Sequence, residues 1–383
     1  MIERMTSMPY IAEVEFRNSL SSEIDVQVVR SWDGLKEIYN EWQELQSACG
    51  RFPFTDLNLV EVWWNTQGKQ NGEKLHIVTL RHNGRLVALA PLTVVKKCGI
   101  RFLQWAGGDL FDYCDSIAQD EAANTSLWKS VQALGGFDVA HIRIVHPETS
   151  THQLMSQFAK RLRTSTTYAV TIDSTANPGW KERLLKSKFR QKARKLESKG
   201  PVQFEVVTEG AIPDAVLSAL IRQKTEWAVQ RGKSGLFDDP SKADTVLRGF
   251  AAALAKGSML HLSWLSCGSD IIAVQLGCMR DLKLYLYMPS YDLSWSNLSP
   301  GQYLLARILE WATNNGLTEV DFLRGGDDYK AGVADVQRTF GDFVFAGSSL
   351  GKIVVPAICG LRSVYASLPP ALQKVARGRI LPT

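Results

Sequence analysis

The chain has 383 residues, 45% of them hydrophobic and 22% charged, which is enough for two cores and excludes a disordered or fibrous chain. Its net charge of +5 excludes a strongly polycationic or polyanionic surface, and no apolar run is long enough to span a membrane. The six cysteines are scattered without a C-x-x-C pair, which argues against a zinc site or a disulfide scaffold.

Met1–Glu23 is polar and unpatterned. It lacks the charged start, apolar stretch and cleavage site of a signal peptide, so it reads as a flexible N-terminal arm (1–23) of a cytoplasmic protein with reduced thiols. Alternation predicts a strand over Val26–Arg30, and helical spacing predicts a helix over Trp32–Ala48. Asp56 is placed to cap a short helix carrying Val60, Val62, Trp63 and Trp64. Leu75–Leu80, the turn His82-Asn83-Gly84 and Arg85–Val95 predict a hairpin. A strand follows at Phe102–Trp105, then a helix over Glu121–Leu134 and a strand over Val139–Val145. A helix over His152–Leu162 and a strand over Tyr168–Ile172 close this half.

The second half opens on Trp180–Lys199, predicted as a helix. Lys181–Lys199 holds nine Lys/Arg against two Glu, so the basic charge is a local patch. Leu185, Phe189, Ala193 and Leu196 form its core-facing stripe. A strand at Val202–Val207, helices over Pro213–Gln230 and Ala243–Ala255 and a second hairpin follow. Leu75-His76-Ile77, Leu80 and Val87-Ala88 recur as Leu260-His261-Leu262, Leu265 and Ile272-Ala273, offset by 185 residues, which suggests an internal duplication. A strand (Leu284–Met288), a polar loop ending in Ser299-Pro300-Gly301, a helix (Tyr303–Gly316), a strand (Glu319–Leu323) and Arg324–Lys330 come next. A strand at Phe340–Gly347 precedes a helical tail over 351–383. This order describes an α/β (α+β) protein with mixed, mostly antiparallel sheets flanked by helices. It is not the regular alternation of a Rossmann fold.

Four blocks carry a family resemblance: Lys188–Glu197; Trp227 with Gly232 and Phe237; Tyr291-Asp292 with Ser299-Pro300-Gly301; and Asp321–Lys330. Asp112-Tyr113 with Asp115 adds to them from the first half. The chain resembles the CelD-like acyltransferases of bacterial polysaccharide loci, in the GNAT superfamily, which are similar to the FemAB aminoacyl transferases. The resemblance implies two tandem GNAT-like modules. The first (24–173) would be structural or acceptor-binding, and the second (174–350) would be the acyltransferase. The implied reaction moves an acyl group from acetyl-CoA or another acyl-CoA, with no metal, to an amine or hydroxyl of a sugar, polysaccharide or cell-envelope precursor. Polysaccharide-biosynthesis proteins are the implied partners. The alternatives are an aminoacyl-tRNA-dependent transferase, whose tRNA would be the one nucleic-acid partner, and a non-catalytic module that binds a partner.

Such chemistry needs a held carrier, a base and donors for an oxyanion. The turn at Ser299, Gly301, Gln302 and Tyr303 enters a helix, so its backbone N–H groups are candidates for the carrier's phosphates. Arg190 and Arg194, one turn apart, would hold phosphates or an acidic acceptor, unless they are a solvated face. Asp327 is the first candidate base, with Asp292 and Asp328 behind it; capping of the next helix is its other reading. Lys330 would pair with the acceptor or steady an oxyanion. Tyr291 and Tyr329 would protonate the departing thiolate, and Glu226 and Trp227 would wall the acceptor site. His76 and His261 occupy equivalent positions in the repeat and read as structural. Cys267 reads as a turn residue, and no nucleophile elbow, zinc-helix motif or phosphate loop is present.

Overall fold

The computed structural model describes residues 24–172, 179–232, 235–325 and 328–367. The first half runs β1 (Ile24–Val29), α1 (Trp32–Glu37), α2 (Tyr39–Cys49), α3 (Leu57–Trp63), β2 (Lys74–Leu75), β3 (Ile77–His82), β4 (Arg85–Ala90), β5 (Leu92–Lys97), β6 (Ile100–Trp105), β7 (Ile117–Ala118), α4 (Glu121–Leu134), β8 (Val139–Val145), α5 (Ser150–Phe158) and β9 (Lys160–Thr171). The second runs α6 (Gly179–Leu184), α7 (Ser187–Glu197), β10 (Val202–Val207), α8 (Asp214–Gln230), α9 (Pro240–Lys256), β11 (Leu260–Cys267), β12 (Asp270–Arg280), β13 (Lys283–Tyr291), α10 (Pro300–Asn314), β14 (Glu319–Asp321), α11 (Asp328–Val333), β15 (Val336–Ala346) and α12 (Ser349–Ser367).

The repeated hairpins are β3–β4 and β11–β12, and the duplication extends well beyond them. In each half an outer strand pairs antiparallel with the hairpin: β1 with β3, and β10 with β11. The hairpin's second strand leads into another antiparallel strand (β6 or β13), which then pairs parallel with the strand after a helix (β8 or β14). One difference separates the copies. Where β12 runs unbroken, Pro91 interrupts the first copy and divides β4 from β5. Proline lacks the N–H a ladder needs, so a sheet breaks there. As a result β1-β3-β4-β7 form a small sheet, while the remaining described strands join in the order β10-β11-β12-β13-β14-β9-β15-β8-β6-β5-β2.

That order shows that the two copies exchange their last strands. β9, from the first half, pairs with β14 of the second, and β15, from the second, pairs with β8 of the first. β9 and β15 also pair with each other from Val336↔Ala169 to Val344↔Lys160. The sequence predicts a helix over His152–Leu162, whereas α5 spans Ser150–Phe158. The chain instead leaves the helix at Ala159, because residues 160–171 are needed as the bridging strand. The predicted basic helix is likewise two helices, α6 and α7. α12 extends through Pro356, so the tail begins as a single helix.

Side chains lock the exchange. Tyr113 donates its hydroxyl to Asp321 Oδ1 at 2.9 Å, and the Leu323 N–H donates to the same oxygen at 2.7 Å. Arg324 pairs with Asp112 and donates to the Phe111 carbonyl. Arg338 holds Glu319 through two nitrogens, at 3.1 and 2.6 Å, and reaches Glu148 at 3.0 Å. The Asp112-Tyr113 block and the Asp321–Arg324 block are therefore partners across the seam. Tyr113 is fully buried and stacks on Phe340 of β15 at 4.6 Å. His76 and His261 are buried, as expected of structural residues; desolvation lowers their pKa values to about 4 and about 3, which keeps both neutral.

Candidate active site

In the second copy, β13 and β14 pair only over Lys283↔Glu319 to Tyr285↔Asp321. Beyond Tyr285, β13 continues to Tyr291 against β12 alone, and a gap opens on its other side. α10 begins at this gap. A cleft of about 330 Å³ forms there, with Leu286, Pro289, Ser290 and Tyr291 of β13 as one wall. Ser299–Gln302, Leu304, Leu305 and Ile308 make the opposite wall, α8 contributes Gln223, Lys224 and Trp227, and Tyr329 of α11 closes one end.

The mouth of the helix has one open donor. Gln302 and Tyr303 N–H both donate to the Ser299 carbonyl, at 3.1 and 3.2 Å. Gly301 N–H has no hydrogen-bond partner among the described residues. A Cβ on Gly301 would stand 3.5 Å from the Tyr291 ring, so any larger side chain would crowd this amide from the cleft side. Ser299 sits in the left-handed region (φ 54°, ψ 52°) and makes no side-chain cap; its Oγ instead accepts from Lys192 Nζ at 2.7 Å. In the first copy the equivalent helix start is already capped. There Asp120 caps α4 by accepting from the Ala123 N–H at 2.8 Å, so a carboxylate already occupies the equivalent position. Its interior is filled by Trp105 packed edge-on against Trp128 at 5.7 Å.

The cleft floor is a buried polar relay. Ser290 Oγ donates to Gln223 Oε1 at 2.8 Å, and Gln223 Nε2 donates to the Ile271 carbonyl at 2.8 Å. This ties α8 to β12 and β13. One turn further on, Trp227 has Lys224 Nζ 5.0 Å from its ring centroid and the Arg231 guanidinium 5.1 Å from it.

The predicted site residues divide accordingly. Trp227, Tyr291, Ser299, Gly301, Gln302 and Tyr329 line the cleft. Arg190 and Arg194 do not: they face solvent on the outer side of α7, and Lys192 is the member of that basic helix that reaches the mouth of α10. Glu226 also lies outside the cleft, on an exposed face of α8 where Arg222 reaches it at 3.4 Å. Tyr303 turns away, stacks with Phe189 and donates to Glu197 at 2.9 Å; burial and Glu197 push its phenol up to about 12. Asp292 caps the short helical turn after β13 by accepting from Ser294 N–H and Oγ, at 2.9 and 2.6 Å. Burial raises its pKa, but hydrogen bonds from Ser294 and Arg222 outweigh that and hold it below the usual carboxylate range, so it is a poor base. Lys330 is buried and donates to the Phe322 and Arg324 carbonyls, each at 3.1 Å. It holds the loop after β14, where Gly325 (φ 128°) makes room: a Cβ there would lie 2.8 Å from Nζ. Asp327 lies outside the described residues, as does the Asp328 side chain. Among the described residues no group of His, Cys, Asp and Glu could hold a metal ion.

Gln223, Gln275, Ser290 and Lys192 were not singled out in the sequence. Gln223 was legible in principle, as a polar residue on the apolar stripe of α8. Lys192 was hidden among nine cations whose facing depends on how α7 docks.

These features define a two-copy mixed α/β architecture with a cleft at the mouth of α10 in its second copy. Residues 183–331, which include the cleft, match the family model described as Acetyltransferase (GNAT) domain. The whole fold is similar to the crystal structure of FemX, with a TM-score of 0.58 at 12% identity over 84% of this chain and 98% of that one. It is also similar to L-PGS from Bacillus licheniformis, with a TM-score of 0.50 at 10% identity over 83% of this chain and 95% of that one. The C-terminal domain of a putative lysylphosphatidylglycerol synthetase from Agrobacterium fabrum gives 0.50 at 12% identity over 84% and 96%. At such identities the likeness is one of fold. No curated protein matches the chain in sequence.

Proposed function

We propose that the chain transfers an acyl group from an acyl-CoA to an amine or hydroxyl of a saccharide or cell-envelope precursor. The proposed division is residues 24–173 as a supporting module and 174–350 as the acyltransferase. The observation that carries this reading is the mouth of α10. The free Gly301 N–H, the helix dipole and Lys192 meet at the head of the gap between β13 and β14, inside the segment that matches the acetyltransferase family. The carrier's phosphates would rest at Gly301 and Lys192, and its acyl-thioester arm would lie along Leu286–Tyr291.

The acceptor would enter past Trp227 and Arg231. Its nitrogen or oxygen would attack the thioester carbonyl, forming the new C–N or C–O bond as the C–S bond breaks. Asp327 is assigned the acceptor's proton, and the hydroxyl of Tyr329 or Tyr291 returns one to the CoA thiolate. The acceptor class, like the link to polysaccharide synthesis, rests on the sequence resemblance.

Titration calorimetry with CoA and acetyl-CoA tests the carrier, and a CoA-soaked crystal tests its position. Binding that weakens several-fold in Lys192→Met supports the reading. Undetectable binding of every acyl-CoA tried, or pyrophosphate density away from Ser299–Tyr303, overturns it.

A further inference from the structure

Gln275 of β12 brings an unpaired oxygen to the cleft. The residue is 3% exposed, and its Nε2 is committed to the Leu276 carbonyl at 2.8 Å. That bond fixes which end of the amide is nitrogen, because a carbonyl can only accept. Oε1 has no hydrogen-bond partner among the described residues, in a cleft that Leu286, Pro289, Leu304, Leu305 and Ile308 also line. A buried acceptor without a donor is costly once water is displaced, so a ligand held there has to supply an N–H or O–H. Pro289, opposite Gln275 in the ladder, has no N–H to offer.

The first copy shows that the fold does not need this amide. Gln275 pairs with Ser263 as Ala90 pairs with Val78, and both pairs keep the 185-residue offset of the duplication. Ala90 is fully buried. The same hairpin is thus built with alanine in the copy whose helix start is capped, and with glutamine in the copy that holds the cleft.

Depth indicates which group of a ligand meets the oxygen. Tyr291 marks the mouth, since its ring lies 3.5 Å from where a Gly301 Cβ would stand. Pro289, level with Gln275, lies two residues further in, roughly 7 Å at a strand's rise. In a phosphopantetheine arm the first amide nitrogen is about six bonds from phosphorus, and an extended chain advances about 1.2 Å per bond. With its phosphate at Gly301, the arm brings that N–H to the level of Gln275.

We propose that Gln275 Oε1 accepts a hydrogen bond from the first amide N–H of the carrier's phosphopantetheine arm and so sets how deep the arm lies. The inference rests on reading the cleft as the carrier site. The arm itself is common to CoA and to the prosthetic group of a carrier protein.

The test is calorimetry on the full chain with four ligands: CoA, 4′-phosphopantetheine, its analogue with an ester oxygen in place of that amide nitrogen, and ADP. The wild type should bind phosphopantetheine about tenfold more tightly than the ester analogue. Gln275→Leu should bind the two alike, lose the same factor on CoA as on phosphopantetheine, and bind ADP as the wild type does. Amide and ester are compared within one protein, so the result holds even if losing the bond to Leu276 lowers the variant's melting temperature. A wild type that does not distinguish amide from ester, a variant that still does, or an equal loss on ADP overturns the proposal. Binding of no arm-bearing ligand overturns it together with the proposed function. Amide-selective binding of phosphopantetheine without binding of CoA or ADP supports the role of Gln275, removes CoA as the donor and makes a carrier protein the source of the arm.

Discussion

Asp321 is fully buried at the seam, where it accepts from Tyr113 and Leu323 while Arg338 stands 3.6 Å from its other oxygen. Desolvation dominates, and the pKa rises to about 7 despite the two hydrogen bonds and the arginine. A carboxyl that holds its proton more tightly folded than unfolded costs nothing below its unfolded pKa. It becomes a growing penalty as pH rises through the window up to its folded pKa. With ordinary aspartate behaviour in the unfolded chain, the full penalty is about 4 kcal/mol, and about 3 kcal/mol of it falls between pH 5 and pH 8. Asp321→Asn keeps an oxygen for Tyr113 and Leu323 but cannot ionise. Urea unfolding of both proteins at pH 5 and pH 8 isolates the effect, because other titrating groups cancel in the difference. The variant should gain about 3 kcal/mol on the wild type between the two pH values. A difference that does not change with pH, or that favours the wild type at pH 8, would refute the reasoning.

Other perturbations follow from the same geometry. Gly301→Val should fold normally, since the nearest atom is an ordinary contact away, yet lose CoA binding in calorimetry. Lys192→Met should raise the KM for acyl-CoA several-fold with little change in kcat, and should flatten the salt dependence of binding. Arg324→Ala strands Asp112, one of the buried acids, and should cost about 3–5 kcal/mol, read as a large drop in melting temperature. Gln223→Leu leaves the Ile271 carbonyl and Ser290 without their partner and should cost about 1–3 kcal/mol in urea unfolding.

The elements that followed local chemistry were legible in the sequence. Asp56 caps α3, residues 121–134 and 139–145 form the predicted helix and strand, and the hairpin repeat at 75 and 260 is a true correspondence in the fold. What depended on distant pairing was not legible. Nothing within residues 150–162 announces that the helix must stop to supply a strand to the other half. Within the site, backbone entry to α10 could be read from Ser299-Pro300-Gly301. Side-chain roles could not, because a tyrosine, lysine or aspartate serves packing, capping or catalysis according to where it points. Asp292 caps a turn, Lys330 braces a loop, and Arg190 and Arg194 face solvent while their neighbour Lys192 reaches Ser299.

The strand exchange also constrains how the chain can be made. β15 ends at residue 346, and until it arrives the edges of β8 and β9 that it will cover have no partner. The ladder between Lys160 and Val344 closes a loop of nearly half the chain, so it forms late and slowly. During synthesis the first half therefore waits with open strand edges, the condition in which a nascent chain is most prone to pair with its neighbours. A cut between the halves would leave each fragment holding the other's last strand, and the two should be recoverable in folded form only when expressed together.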